Sequence, residues 1–196
     1  KYGNDYLLRL NDAWQKQVDP ISEWKSANMQ SQRDFYKNYV RELRRKGTKC
    51  IVIISDALRY EIGEELHRRI REKDKFDAKI EPILASLPSY TQLGMASLLP
   101  EGDLGIFDSS KPTVMHAGVS TAGIENRKKV LDANIGEDRS CAYHTDVFLG
   151  FKNSETRDII RDHDVIFIYH NRIDATGDST TTEENVFEAA EDTIEE

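Results

Sequence analysis

Cys50-Ile51-Val52-Ile53-Ile54-Ser55-Asp56-Ala57-Leu58-Arg59-Tyr60 is the stretch whose reading decides the fold. A run dominated by β-branched residues ends in a carboxylate, and an amphipathic segment begins at once. The run is too short for a helix and lacks alternation. It reads as a central strand of a parallel sheet, buried on both faces. The next segment carries Leu58, Ile62, Leu66 and Ile70 at helical spacing. Its acids (Glu61, Glu64, Glu65) come first and its bases (Arg68, Arg69, Arg71, Lys73) last, an order that suits a helix dipole. Asp56 therefore stands where a buried strand hands over to a helix. In open α/β sheets that carboxyl edge is where ligands bind.

The chain has 196 residues, of which 38% are hydrophobic and 32% charged, enough for one globular domain of ordinary size with a small appendage. No apolar run reaches membrane-spanning length and no signal-peptide pattern opens the chain. Cys50 and Cys141 both fall in apolar strand-like runs and read as buried free thiols, which points to the cytoplasm. The net charge of −8 is unevenly spread. Residues 178 to 196 hold eight acids and no base; taking those from the 35 acids leaves 27, equal to the 27 bases. Whole-chain acidity thus says little about partners.

Outward from the opening strand, residues 1 to 18 read as a helix with Tyr6, Leu7, Leu10 and Trp14 on one face, broken by Asp19-Pro20. A longer helix includes Phe35, Tyr36, Tyr39, Val40 and Leu43 and stops at Arg44-Arg45-Lys46-Gly47. The division that results is an N-terminal helical extension over residues 1–46 and an α/β domain over 47–196. Residues 77–84 read as a second strand that Pro82 confines to an edge or ends early. Residues 101–140 read as a loop-rich excursion with a short helix over 123–131. Residues 153–162 read as a helix, and Asp164 to His170 as another buried parallel strand. The chain closes in a helix with Val186, Phe187, Ala190 and Ile194 on one face. That helix carries no stop signal, and the expectation is a longer parent protein.

Two buried strands that end in acids, with a threonine at a helix start, form a constellation. Hard divalent cations take carboxylate oxygens, and zinc accepts aspartate. A hydroxyl beside such a cation loses its proton more easily and becomes a nucleophile. Asp56, Thr91, Asp174 and Asp178 thus form a candidate set for one or two metals around a phosphoryl centre. Each has a plainer alternative. Asp56 caps the following helix, Thr91 is an ordinary N-cap, and Asp174 and Asp178 flank a turn at Thr176-Gly177. His170 reads as hydrogen-bonded structure and His67 as solvated, while His144 and His163 lack close ligand-like partners and His116 lies in the loop-rich region.

At this point three segments resemble a known family. Ile53-Ile54-Ser55-Asp56-Ala57-Leu58-Arg59-Tyr60-Glu61 is the first, and Pro88-Ser89-Tyr90-Thr91-Gln92-Leu93-Gly94-Met95-Ala96-Ser97-Leu98-Leu99-Pro100 the second. Ile168-Tyr169-His170-Asn171-Arg172-Ile173-Asp174-Ala175-Thr176-Gly177-Asp178 is the third. In this order and spacing they resemble the successive signatures of the PglZ domain. That domain belongs to the alkaline phosphatase superfamily and occurs in BREX bacteriophage-defence systems. The resemblance covers roughly residues 30 to 196, and the segment Gly118 to Arg127 also fits it.

The resemblance implies a mostly parallel sheet with helices on both faces, a truncated alkaline-phosphatase-like core. It implies Asp56 as metal ligand, Thr91 as nucleophile and metal neighbour, and Asp174 as ligand of a second metal. Asp178 stands where many relatives have His. It further implies divalent metal ions, zinc first and manganese or magnesium next, a phosphate-ester substrate, and other defence-system proteins as partners. Arg59 and Arg127 are candidates for phosphate contact, with surface solvation as their plainer fate. The superfamily completes its sites with an Asp-His pair on a further strand and one more His, which the sequence up to Glu196 does not supply. The expectation is a domain that binds metal weakly, or in one partial site, and turns over little or nothing by itself. The alternatives are a non-catalytic scaffold of a defence complex and a nuclease. For the nuclease, Arg41-Arg44-Arg45-Lys46 and Arg68-Arg69-Arg71 would have to form a continuous positive track.

Overall fold

The structure, a computed structural model, describes residues 2–107 and 112–196. Its N-terminal helix starts with π-type winding over Tyr2–Leu7 and continues as α1 (Leu8–Val18). Strand β1 is only Gln30–Ser31. A second π-wound stretch, Tyr36–Arg41, leads into α2 (Glu42–Arg45). Next come β2 (Cys50–Ser55), α3 (Tyr60–Glu72), β3 (Ile83–Leu84) and α4 (Thr91–Ser97). Three short strands follow, β4 (Leu104–Phe107), β5 (Thr113–His116) and β6 (Val119–Ser120). Then α5 (Ile124–Ile135), β7 (Ser140–His144), α6 (Thr145–Leu149) and α7 (Asn153–Asp162) precede β8 (Val165–His170). The chain ends with α8 (Arg172–Gly177) and α9 (Val186–Glu195).

The main sheet is parallel and runs in the order β2-β8-β7. All six residues of β8 are buried, as a strand paired on both sides and covered on both faces requires. On one face Cys50, Val52, Val165, Phe167, Tyr169 and Ala142 pack against Tyr36 and Val40, against Leu99, and against Val130 and Leu131 of α5. On the other face Cys141, Ile166 and Ile168 meet Phe148 of α6 and Ile159 and Ile160 of α7. The fold is α/β with helices on both faces of the sheet, as the sequence implies.

The strand that opens the argument is not central. β2 lies at the sheet edge, and its even residues face the core while Ile51 and Ile53 are 46% and 66% exposed. A continuous apolar run reveals that both faces of a strand are apolar. It does not reveal whether anything in the same chain covers them.

Three other expectations shift. Of residues 77–84 only Ile83–Leu84 is strand, paired parallel with Gln30–Ser31; Pro82 offers no N–H to a ladder. The excursion over 101–140 holds an antiparallel sheet in the order β4-β5-β6, with residues 108–111 outside the described residues. Gly102 lies against the buried ring of His116, where a Cβ would overlap it, and His116 Nε2 is 2.6 Å from the Pro100 carbonyl oxygen. In α9, Ala189 and Ala190 are the buried residues, and Phe187 is 86% exposed.

Ion pairs fix α9. Arg69 of α3 reaches Glu191 and Glu195, both at 2.7 Å, and Arg172 reaches Asp192 at 3.0 Å and Glu196 at 2.7 Å. Arg68 is paired with Glu65 and Glu72, Arg41 with Glu101, and Arg45 with Glu42. Much of both basic clusters is therefore neutralised in place. Both cysteines are free and buried, and burial pushes the Cys141 thiol up to about 11. Among the described residues no helix is long and apolar enough to cross a membrane.

The edge assignment has a direct consequence. Ile53 pairs in register with Ile168, yet the two sit in opposite environments. In urea denaturation of this chain, Ile53→Lys should shift stability by less than about 0.5 kcal/mol. Ile168→Ala should cost about 2–5 kcal/mol. Equal losses would mean that β2 is covered on its outer side.

Candidate functional site

Parallel pairing sets the site. Register places Ser55 opposite His170, and the Asp56 N–H donates to the His170 carbonyl oxygen at 2.9 Å. Both strands thus end at the same level. Asp56 is half-buried, and its Oδ1 accepts the N–H of Ala57 at 3.1 Å. Ala57 has a φ of +59°, a left-handed conformation that costs a residue with a Cβ. Helix α3 starts only at Tyr60, with Arg59 at its N-cap position and no side-chain cap. Asp56 is therefore not the cap of that helix, and the plainer reading of it falls.

Asp174 and Asp178 do not flank a simple turn. Asp174 lies in the first turn of α8, and Asp178 follows at its C-terminal end with its N–H donating to the Asp174 carbonyl at 2.9 Å. Spacing of four residues puts both on one side of the helix. Their charge reaches Asp56. Burial chiefly, then the neighbouring Asp174, raises the Asp56 carboxyl above its ordinary 3.8; Asp178 adds to this, while the Ala57 N–H and Arg127 oppose it. Three carboxylates from two chain segments share one electrostatic neighbourhood.

Thr91 is the first residue of α4, and the extended Tyr90 before it occupies the N-cap position. Thr91 is thus exposed and inside the helix, not its cap, and among the described residues its hydroxyl makes no hydrogen bond. The link to the acids is Arg127. Its Nε donates to the Thr121 carbonyl at 3.0 Å, its Nη2 to Gln92 Oε1 at 3.4 Å, and its guanidinium carbon lies 4.7 Å from the Tyr169 ring centroid. Arg127 is 5% exposed, so the expected surface solvation does not hold for it, whereas Arg59 is exposed. Its position in Arg127-Lys128-Lys129 hid this, because a run of bases reads as a wet face. Gln92, Thr121 and Tyr169 gave no signal in the sequence beyond their nearness to the motifs.

The histidines behave as structure. His170 is buried, with Nδ1 3.1 Å from Ser55 Oγ and Nε2 3.2 Å from Glu196 Oε2. His67 is half-buried, 3.1 Å from the Ala78 carbonyl, and so is not solvated as expected. His163 Nδ1 lies 2.9 Å from the Ile159 carbonyl, and His144 is exposed. A cavity of about 690 Å³ opens at the same carboxyl edge, lined by His144, Asp146, Asn171, Arg172 and residues of α9, but by none of the three acids or Thr91.

Whether these residues suit a divalent cation has two sides. The donors are hard oxygens, and their mutual repulsion is what a cation relieves. Yet among the described residues no three of His, Cys, Asp or Glu are gathered closely enough to hold a metal ion. The donor chemistry fits, and the set as gathered here is partial.

Comparison with known proteins now bears on the site. The family described as the BREX system PglZ alkaline phosphatase-like domain matches residues 35–196. The chain belongs to the PglZ family. Across its whole length it is 40% identical to the alkaline phosphatase-like protein BrxZ of Escherichia coli O9:H4 (strain HS), of which it covers 23%. It is likewise 33% identical over its whole length to the alkaline phosphatase-like protein PglZ of Bacillus cereus (strain H3081.97), of which it covers 22%. The chain thus spans less than a quarter of each of these relatives. The PglZ match takes in Asp56, Thr91, Arg127, Asp174 and Asp178 alike. An alkaline-phosphatase-like domain goes with divalent metals in general.

The raised Asp56 carboxyl makes a signed prediction. Its folded form holds the proton to higher pH than the unfolded chain does. The stabilisation from protonation is full below the unfolded value and is lost as pH rises through the folded one. Charged Asp56 therefore weakens the fold at neutral pH. In chelator, Asp56→Asn should melt above the parent at pH 7, and the gap should close below about pH 3.8. A variant melting lower at pH 7 would show that charged Asp56 stabilises the fold and would contradict the raised carboxyl.

Proposed function

We propose that this chain is the nucleophile-bearing part of a metal-dependent phosphoric ester hydrolase in a BREX defence protein. The observation that supports the reading is the common end of β2 and β8, where the Asp56 N–H bonds the His170 carbonyl and α8 with Asp174 and Asp178 follows at once, while Arg127 holds Gln92 next to Thr91. Asp56, Asp174, Asp178 and the Thr91 hydroxyl would hold the metal, with zinc first and manganese or magnesium as substitutes. Bound there, a divalent ion supplies Lewis-acid polarisation of a phosphoryl oxygen and a lower proton affinity for the hydroxyl.

The chain's own residues do the rest. Thr91 Oγ passes its proton to solvent water and attacks phosphorus in line; an O–P bond forms while the bond to the leaving oxygen breaks. The leaving oxygen departs as an alcohol once water protonates it. A second water then attacks the phosphothreonine, frees Thr91 and releases the phosphate product. Arg59, exposed at the head of α3, would meet the substrate's oxyanion from solvent.

Among the described residues the outer edge of β2 is unpaired, which supports a site completed by more of the whole protein. A further parallel strand paired along the outer backbone edge of β2 would end beside Asp56. By itself this chain is expected to be nearly inactive. The reading also takes the protein as cytoplasmic, which two free cysteines support, and as working with other defence proteins.

One observation favours a second reading, a non-catalytic scaffold: no metal-holding group of three is gathered among the described residues. The nuclease reading has less support, since Arg41, Arg45, Arg68 and Arg69 are already paired. Whole protein with zinc or manganese should hydrolyse a nitrophenyl phosphoester. Thr91→Ala and Asp56→Ala should each cut kcat by about 10³-fold or more. Unchanged rates in both would remove Thr91 and Asp56 from the chemistry, and no hydrolysis by the whole protein would leave the scaffold standing.

A further inference from the structure

We infer that Arg127 is a positioning residue that locks the Thr91 turn of α4 to the central strand. The inference rests on the hydrolase reading above. A guanidinium keeps its charge when buried, so the fold must supply partners for it. At 5% exposure Arg127 has no ion pair with any carboxylate among the described residues. Its partners are three neutral groups, one in the loop after β6, one on α4 and one on β8.

Two of them are rigid anchors. Thr121 is fully buried, and its N–H and Oγ1 both donate to the Val114 carbonyl, at 3.0 and 2.9 Å. Tyr169 is 4% exposed in β8, held in register by Ile54 on one side and His144 on the other. The thin Nε edge of Arg127 meets the first anchor and its flat face meets the second. A planar, stiff group fixed on an edge and a face has its third direction fixed too. That direction ends on Gln92, the neighbour of Thr91.

Thr91 needs such a brace. Its hydroxyl makes no hydrogen bond among the described residues, and α4 is only seven residues long. The bond from the Gly94 N–H to the Tyr90 carbonyl, 2.9 Å, closes its first turn. The hydroxyl therefore stands wherever that turn stands. A misplacement on the order of 1 Å at a reacting atom costs about 100-fold in rate. Arg127 acts through Gln92, with its guanidinium turned to protein on three sides and not to substrate.

Whole protein carrying Arg127→Lys, Gln92→Ala or Thr91→Ala tests this. Lysine keeps the charge but loses the plane and the fork. Assayed on a nitrophenyl phosphodiester with manganese, the first two variants should lose about 10- to 100-fold in kcat with KM within about twofold. Hydrogen exchange read by mass spectrometry should speed up about tenfold at Gly94 in both, and stay unchanged at Val130 in the body of α5. A raised KM with intact kcat would make Arg127 a direct substrate contact and overturn the inference. A lower melting temperature with kcat and Gly94 exchange unchanged would reduce it to a stability role and overturn it equally. Where Arg127→Lys fails to fold, Gln92→Ala removes the last arm alone and decides. If Thr91→Ala stays active, the hydrolase reading fails, and Gly94 exchange still decides the brace.

Discussion

The in-register parallel pairing of β2 with β8 is the constraint on which the rest depends. Six consecutive residues pair, from Cys50 with Val165 to Ser55 with His170. Parallel strands that stay in step finish together, so whatever follows each of them meets at one edge. Asp56 follows one strand and α8 follows the other. The bond from the Asp56 N–H to the His170 carbonyl is the last rung of the ladder and the first contact of the site. A slip by one residue would turn Val52 and Ile54 away from the core and carry Asp56 off the level of α8.

Electrostatics then works against the fold. Burial first, then the nearby Asp174 and Asp178, raises the proton affinity of Asp56, and a left-handed Ala57 follows it directly. Neither feature helps a stable domain. Such costs collect where a chain is arranged for a ligand and not for its own packing. Arg127 is the resident positive charge in this neighbourhood and lowers the proton affinity that the neighbouring aspartates raise. His170, by contrast, is wholly engaged in tying Ser55 to Glu196, and so ties the edge of the sheet to α9.

Much of this was legible in the sequence, for reasons that differ by element. β8 and α7 were readable because a buried run and a helical period are local patterns, and Val165–His170 and Asn153–Asp162 carry them undiluted. The edge position of β2 was not, because Ile51 and Ile53 look the same whether covered or bare. The sheet β4-β5-β6 was hidden because strands of two to four residues take their conformation from partners, not from period. The places of Asp56 and Asp174 just past the ends of β2 and β8 were legible from the strand runs and motif order. The burial of Arg127 was not legible, because burial of a charge depends on Thr121, Gln92 and Tyr169, which lie 6, 35 and 42 residues away in the chain and meet only in space.

The central claim is that a divalent ion belongs between the end of β2 and helix α8. Crystals of the whole protein grown with zinc, measured at the zinc edge, test it most directly. The account predicts an anomalous-difference peak within bonding distance of carboxylate oxygens from Asp56 and from Asp174 or Asp178, about 2.0–2.2 Å. A peak at the His144 and Asp146 cavity instead, or none at the edge of β2 with zinc in excess, would contradict it.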